Sequence, residues 1–346
     1  MQAAPKLAAP ERKAAPAPAK AGKAVVKPAP RNVRAAKPAP ARNAKSPAKT
    51  AKTTPVKAPT AKAAVLVAPV AVAAAVAAAP APSGMGALCA RLITRLPGVT
   101  NAECEQSGLK PTGAMSRKGM PILAREILPL SSSKQPLRVL LLGGIHGDEL
   151  TASAIVFEWM QWMTRPIAGS FHWRVAPVVN PDGLLAPKPT RVNAHGVDIN
   201  RNFPTPGWLN DAPKYWAKVT NSDPRRFPGT APLSEPESKW VNDEIERFKP
   251  DVIISVHAPF GVLDFDGPAP VPQRFGLLRF NRVGVYPGSL GNYLGMYKNT
   301  PVITLELPNA QAMPPPVEVQ RIWADMLTWI RQNVGPEGPV RTAAKR

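Results

Sequence analysis

From residue 84 onward, apolar positions follow two alternating periods. Leu88-Cys-Ala-Arg-Leu-Ile-Thr-Arg-Leu96 spaces its apolar residues along one helical face. Ile122-Leu-Ala-Arg-Glu-Ile-Leu128 alternates weakly and reads as a strand. Val139-Leu-Leu-Leu142 is uniformly apolar, the pattern of a strand buried on both faces in a parallel sheet. An amphipathic helix is expected over Glu149–Thr164, then a strand over Trp173–Val179 ending at the turn signal Asn180-Pro-Asp-Gly183. Ser234 and Glu237 fit a capping box opening a helix that runs to about Phe248. Asp251–Val256 and Val302–Leu305 read as two further strands, and Glu318–Asn333 as a closing amphipathic helix. Strand and helix patterns alternate, so the fold class is α/β: a mixed, largely parallel open sheet with helices on both faces. Residues 84–340 form one domain on this reading, with 341–346 a short tail.

Composition separates the N-terminal segment from this domain. Residues 1–62 carry fifteen Lys/Arg and one acid, Glu11, a net of +14 out of +21 for the chain. The first 83 residues hold fourteen of the 44 prolines and no aromatic residue. Such a stretch cannot bury enough apolar surface to offset the entropy of ordering, so residues 1–62 are expected to be a disordered Pro/Ala/Lys-rich polycation. Its partners would be polyanions met without specificity: an anionic polymer, a membrane surface or nucleic acid. A solvated tether with no fixed partner is the bland alternative. Lacking interleaved aromatics for base stacking, it gives no reason to expect a specific nucleic-acid partner.

Residues 63–79 are uncharged and rich in Ala and Val, and precede Pro80-Ala-Pro-Ser83. Basic, apolar, then small residues is the order of an export signal. The long basic region and Pro69 leave an anchor or a plain linker open for 63–83. Cys89 and Cys104 could form one disulfide, or remain two buried thiols; a bridge would suit an oxidising compartment. Together these features favour a periplasmic location, free or membrane-anchored, over a cytoplasmic one.

The candidate chemistry gathers at strand ends. His146-Gly-Asp-Glu149 follows the apolar run and Gly143-Gly144, placing an imidazole and a carboxylate on one short loop. His257 ends another apolar run. Catalytic zinc sites use three such ligands and leave one position open, and open α/β sheets bind ligands at the carboxyl edge of their strands. The loop Arg191–Phe203 and Glu306, in Thr304-Leu-Glu306, supply the remaining polar groups.

His146-x-x-Glu149, Asn180-Pro-Asp-Gly183, Asp198-x-Asn200-Arg201-Asn202-Phe203, Ser255-Val-His257 and Thr304-x-Glu306 resemble, in order and spacing, the zinc carboxypeptidases of the carboxypeptidase A type. Within them the chain looks most like the murein peptide amidases, which cut the γ-D-glutamyl–meso-diaminopimelate amide of cell-wall peptides. The resemblance spans roughly residues 115–335. It implies one zinc ion per chain held by His146, Glu149 and His257, with Asp198 holding a ligand imidazole. It implies Glu306 as the general base, Arg191 as the cation beside the oxyanion, and Asn200 and Arg201 as the clamp for a substrate carboxylate. The loop tyrosine matches Tyr286, with Tyr293 as the alternative. His195, inside the clamp loop, reads as a turn residue and not a ligand. Asp264 and Asp266 read either as loop acids facing a substrate ammonium or as solvated charges.

The implied partner is a murein tripeptide or a peptidoglycan stem peptide. An ordinary metallocarboxypeptidase, or an N-acyl-amino-acid deacylase resembling aspartoacylase and succinylglutamate desuccinylase, would use related machinery; Asn180-Pro-Asp-Gly183 and Asn202-Phe203-Pro204 are peptidase-like. A non-catalytic wall-binding protein would have no chemical reason to keep His146, Glu149, His257, Arg191 and Glu306 together. Substrate choice is expected to rest on loops around 205–232 and 260–290.

Overall fold

Strands with no exposed residue lie at the centre of the sheet, where both faces must be covered. The computed structural model of the chain describes residues 84–130 and 135–334. The polycationic tail, the 63–83 segment and 341–346 lie outside the described residues. The helices are α1 (Met85–Ile93), α2 (Asn101–Gln106), α3 (Leu150–Met160), α4 (Pro181–Leu184), α5 (Trp208–Val219), α6 (Pro236–Phe248) and α7 (Pro316–Asn333). The strands are β1 (Lys110–Met115), β2 (Pro121–Ile127), β3 (Arg138–Leu142), β4 (His172–Ala176), β5 (Val252–His257), β6 (Val262–Asp266), β7 (Arg274–Phe275), β8 (Leu278–Phe280) and β9 (Val302–Glu306). A π-helical segment covers Gly291–Tyr297.

Among the described residues these strands form one nine-stranded sheet in the order β1-β2-β4-β3-β5-β9-β6-β8-β7. The pairs β4–β3, β3–β5 and β5–β9 in the middle and β6–β8 near one edge are parallel; the pairs β1–β2, β2–β4, β6–β9 and β7–β8 are antiparallel. Residue parity divides the core in two. Val139, Leu141, Val252, Ile254, Val256, Leu263, Phe265, Ile303 and Leu305 pack with α1, α3 and α7, where Trp173 stacks on Trp323 with centroids 5.4 Å apart. Leu140, Leu142, Ile253 and Val302 pack on the other face with Trp240, Val241, Ile245 and Phe248 of α6.

Local signals account for several boundaries. Thr100 and Glu103 close a capping box on α2. Cys89 of α1 is disulfide-bonded to Cys104 of α2. The capping box expected at Ser234 is not formed: Glu235 is the N-cap and α6 begins at Pro236. Ser234 instead donates to Glu235, and Glu237 accepts from Asn193 Nδ2 at 2.9 Å and Arg117 N at 3.0 Å. Tertiary partners outcompete the cap because both acids are buried and must be satisfied where they lie.

The regions expected to be loops contain regular structure. Helix α5 falls within 205–232, and β6, β7 and β8 fall within 260–290.

Candidate active site

Period-2 geometry brings three strands' polar residues to one face of the sheet. With Val256, Leu305, Leu263 and Phe265 in the α3/α7 core, His257, Glu306, Asp264 and Asp266 project from the opposite face. His257 pairs with Glu306 in the parallel β5–β9 register, and Asp264 with Thr304 across β6–β9. The His146–Glu149 loop leaves the adjacent β3 at the same edge. Gly147 is required there, because a Cβ would overlap the backbone of Gly183 and Leu184. The two glycine-containing motifs therefore interlock as backbone against backbone. Asn180 caps α4 by accepting from Gly183 N at 2.9 Å and donates to Arg191 O at 3.3 Å, while Asp182 accepts from Ser116 and Lys118 N.

His146, Glu149 and His257 are buried and present their ligand atoms within 4.8 Å of one another, the one such group among the described residues. Nδ1 of His146 and Nδ1 of His257 face each other at 3.0 Å, 2.8 and 2.9 Å from the two Glu149 oxygens. The outer nitrogens are already engaged. His146 Nε2 meets Asp198 Oδ1 at 3.1 Å, and His257 Nε2 meets Ser255 Oγ at 3.0 Å. Converging imidazole nitrogens and a carboxylate, each imidazole oriented from behind, fit a divalent zinc ion. Burial disfavours the Glu149 charge, but the facing imidazoles outweigh it and hold its pKa well below the usual range. Burial pushes the His257 imidazole down, towards the neutral form a metal needs.

Asp198 is fully buried. It accepts from Arg191 Nε at 2.9 Å and from Asn200 N at 3.0 Å in addition to contacting His146. Burial opposes its charge, yet Arg191, His146 and Arg201 keep it ionised far below the ordinary carboxylate pKa. Arg191 also reaches Glu149 Oε1 at 3.4 Å. Arg201 differs: among the described residues it has no ion pair, and its buried Nε has no partner. It stacks on Tyr286, Cζ 4.4 Å from the ring centroid, and donates to Asn200 O at 2.6 Å. Asn200 Oδ1 accepts from Leu290 N at 2.8 Å, which turns its amide NH2 outward.

Glu306 is buried, and its Oε2 lacks any hydrogen-bond partner. Burial, reinforced by the nearby Glu149 charge, pushes its pKa up to about 7. His146, His257, Arg191, Asn200, Arg201 and Glu306 line one cavity of about 220 Å³, together with Tyr286, Arg226, Asp264 and Asp266. Tyr293 packs away from it, parallel to Phe203 and donating to Asn242 at 2.8 Å. His195 lies on the surface beside Arg117 and Glu235. Asp264 and Asp266, read from sequence as loop residues, are buried strand residues. The alternation Leu263-Asp-Phe-Asp266 already carried that signal.

A paired imidazole and carboxylate centre beside an acid of raised pKa is the equipment of a metallohydrolase. Residues 112–263 match the zinc carboxypeptidase family, a span that ends before Glu306. The chain is 30% identical over 197 residues to murein peptide amidase A of Escherichia coli (strain K12), covering 55% of this chain and 79% of that protein. It is 31% identical over 183 residues to murein peptide amidase A of Vibrio campbellii, covering 51% of this chain and 71% of that protein. In fold it is similar to thrombin activatable fibrinolysis inhibitor, with a TM-score of 0.50, 17% identity, and coverage of 66% of this chain and 69% of that one. The chain belongs to the zinc carboxypeptidase family and is a peptide-bond hydrolase.

Proposed function

We propose that this chain hydrolyses the γ-D-glutamyl–meso-diaminopimelate amide of short peptidoglycan peptides, with one zinc ion held by His146, Glu149 and His257. The observation that carries the reading is Glu306, register-paired with a candidate ligand and presenting a buried, unpartnered oxygen to the same cavity. Zinc in that site would act as a Lewis acid, polarising the scissile carbonyl and making water nucleophilic near neutral pH. Glu306 accepts the proton of the attacking water and delivers it to the leaving amine. Arg191, fixed by Asp198, offers a cation to the developing oxyanion. Arg201 and the outward amide of Asn200 hold the carboxylate of the leaving residue, where a guanidinium fork makes paired hydrogen bonds. Asp198 keeps the His146 ring oriented.

The substrate assignment draws on the relatives named murein peptide amidase A. The Cys89–Cys104 bridge supports a location outside the cytoplasm, facing wall peptides. Mass spectrometry of L-Ala-γ-D-Glu-meso-diaminopimelate incubated with the zinc-loaded chain tests the reading. Free diaminopimelate, absent from a chelated control, is the expected product. An intact tripeptide, despite one bound zinc per chain, would remove the murein assignment and turn attention to ordinary C-terminal peptides.

A further inference from the structure

A second cavity, of about 430 Å³, opens at the sheet edge and shares no lining residue with the catalytic one. It lies where the pairing of β1 with β2 ends: β1 begins at Lys110, opposite Ala124, and β2 runs on to Ile127. Arg174 of β4 stands opposite Glu126, so Lys110, Ala124, Glu126 and Arg174 share the face that α6 covers. Four cations line the cavity, Lys110, Arg125, Arg174 and Arg247, against one acid, Glu126. The protein answers two of these charges. Buried Glu244 accepts from Arg174 Nη2 at 2.9 Å and from Arg247 Nε at 3.0 Å, and Glu126 lies 3.7 Å from Arg247. Among the described residues, Lys110 and Arg125 have no carboxylate within ion-pair distance. Lys110 is exposed, whereas Arg125 is half-buried. Arg125 Nη1 donates to Ser107 O at 2.8 Å. Gly108, at φ +71°, leaves room beside the guanidinium, since a Cβ there would sit 3.1 Å from Arg125 Nε. Burial lowers the Arg125 pKa, and no acid offsets that loss. The buried Nε of Arg174 also lacks a hydrogen-bond partner.

A partly desolvated guanidinium without a counter-charge is unfavourable unless a ligand supplies one. We propose that this cavity is a phosphate site, separate from the catalytic centre and sized for a phosphate monoester of a small organic molecule. The two unanswered cations match the charge of such a group, about −1.5 to −2 at pH 7. The guanidinium fork of Arg125 suits paired phosphate oxygens, and Lys110 adds a mobile point charge at the rim. A monocarboxylate would leave one of the two cations unanswered. The volume of about 430 Å³ falls in the range of roughly 300–1,000 Å³ found for small-molecule sites, which leaves room for the organic part.

Calorimetry on the full zinc-loaded chain tests this with glucose 6-phosphate, glucose and inorganic phosphate. At ~0.15 M salt the long-range attraction of residues 1–62 is screened. Glucose 6-phosphate should bind and glucose should not. Arg125→Gln should weaken glucose 6-phosphate binding ~10-fold or more, as for a lost hydrogen bond to a charged group. Lys110→Gln should weaken it ~3-fold, as for an exposed ion pair. Phosphate held by the zinc cavity or by residues 1–62 is common to all three chains, so these losses isolate the second cavity. Unchanged Tm and zinc stoichiometry show that each variant is folded, and exposed Lys110 keeps the test valid should Arg125→Gln unfold. Inorganic phosphate binding as tightly as glucose 6-phosphate, with the same losses in the variants, upholds the phosphate site and assigns it to the free ion. No binding of either phosphate, equal binding of glucose, or an affinity unchanged in both variants overturns the proposal.

Discussion

Glu306 has the acidity a general base needs at neutral pH, and the cause lies in its position. Burial and the adjacent Glu149 charge raise its pKa to about 7, and only its carboxylate form accepts a proton. The acid limb of kcat/KM should therefore fall as pH drops through the Glu306 pKa, which a bound zinc cation would lower from that value, and level off above it; a profile with no acid limb would remove Glu306 as the base. Glu306→Gln should lower kcat by ~10²–10⁴-fold with zinc stoichiometry retained, read by metal analysis beside single-turnover kinetics. Asp266 gives a stability prediction of its own. Its folded-state pKa is raised to about 6 from 3.8, so the folded chain binds the proton more tightly than the unfolded chain and loses stability as pH rises through that window. Asp266→Asn should raise Tm above pH 6 and leave it nearly unchanged at about pH 4. Equal shifts at both pH values would show that its charge is answered in the free protein. The ligand trio, Arg191 and Glu306 were legible in sequence because short motifs fix them. Asp266 was left between two readings, because the clearance around it comes from Gly291 and Gly295, far along the chain.

At the scale of elements, legibility followed burial. The apolar runs within β3 and β5 and the amphipathic α7 could be read directly, since their patterns suit few alternative structures. Strand β1, Lys-Pro-Thr-Gly-Ala-Met, has no apolar alternation; it forms because a sheet edge tolerates Pro and Gly. Helix α5 has Pro213 inside it, which argues against a helix when only the sequence is seen. The α1–α2 pair is small, and its Cys89–Cys104 bridge closes a 15-residue separation. Replacing both cysteines by serine should cost about 3 kcal/mol, or ~6–12 °C in Tm, followed by thermal denaturation under oxidising conditions. Activity of the remaining folded fraction should persist, because neither cysteine lines the cavity. A selective loss of turnover with Tm unchanged would contradict a purely stabilising role.

At the scale of the whole molecule, charge and chemistry are assigned to different parts of the chain. The catalytic groups all fall between His146 and Glu306, while residues 1–62 carry +14 of the net +21. A polycation of that density attracts polyanions through a long-range term that salt screens within about 8–10 Å. It contains no His or Cys and only one carboxylate, Glu11, too few to assemble a second zinc site. Deleting residues 1–83 should therefore leave kcat/KM on a soluble tripeptide within ~2-fold, while retention on an anionic polymer falls at low ionic strength and the difference disappears at ~1 M salt. Both quantities come from one preparation of each form, by product mass spectrometry and by elution from the polymer under a salt gradient. A loss of more than ~10-fold on the soluble peptide would mean that the polycation contributes to the catalytic unit, for instance by drawing in a substrate bearing several carboxylates. In that case the loss would appear in KM and shrink with added salt, which separates steering from a defect in the zinc site.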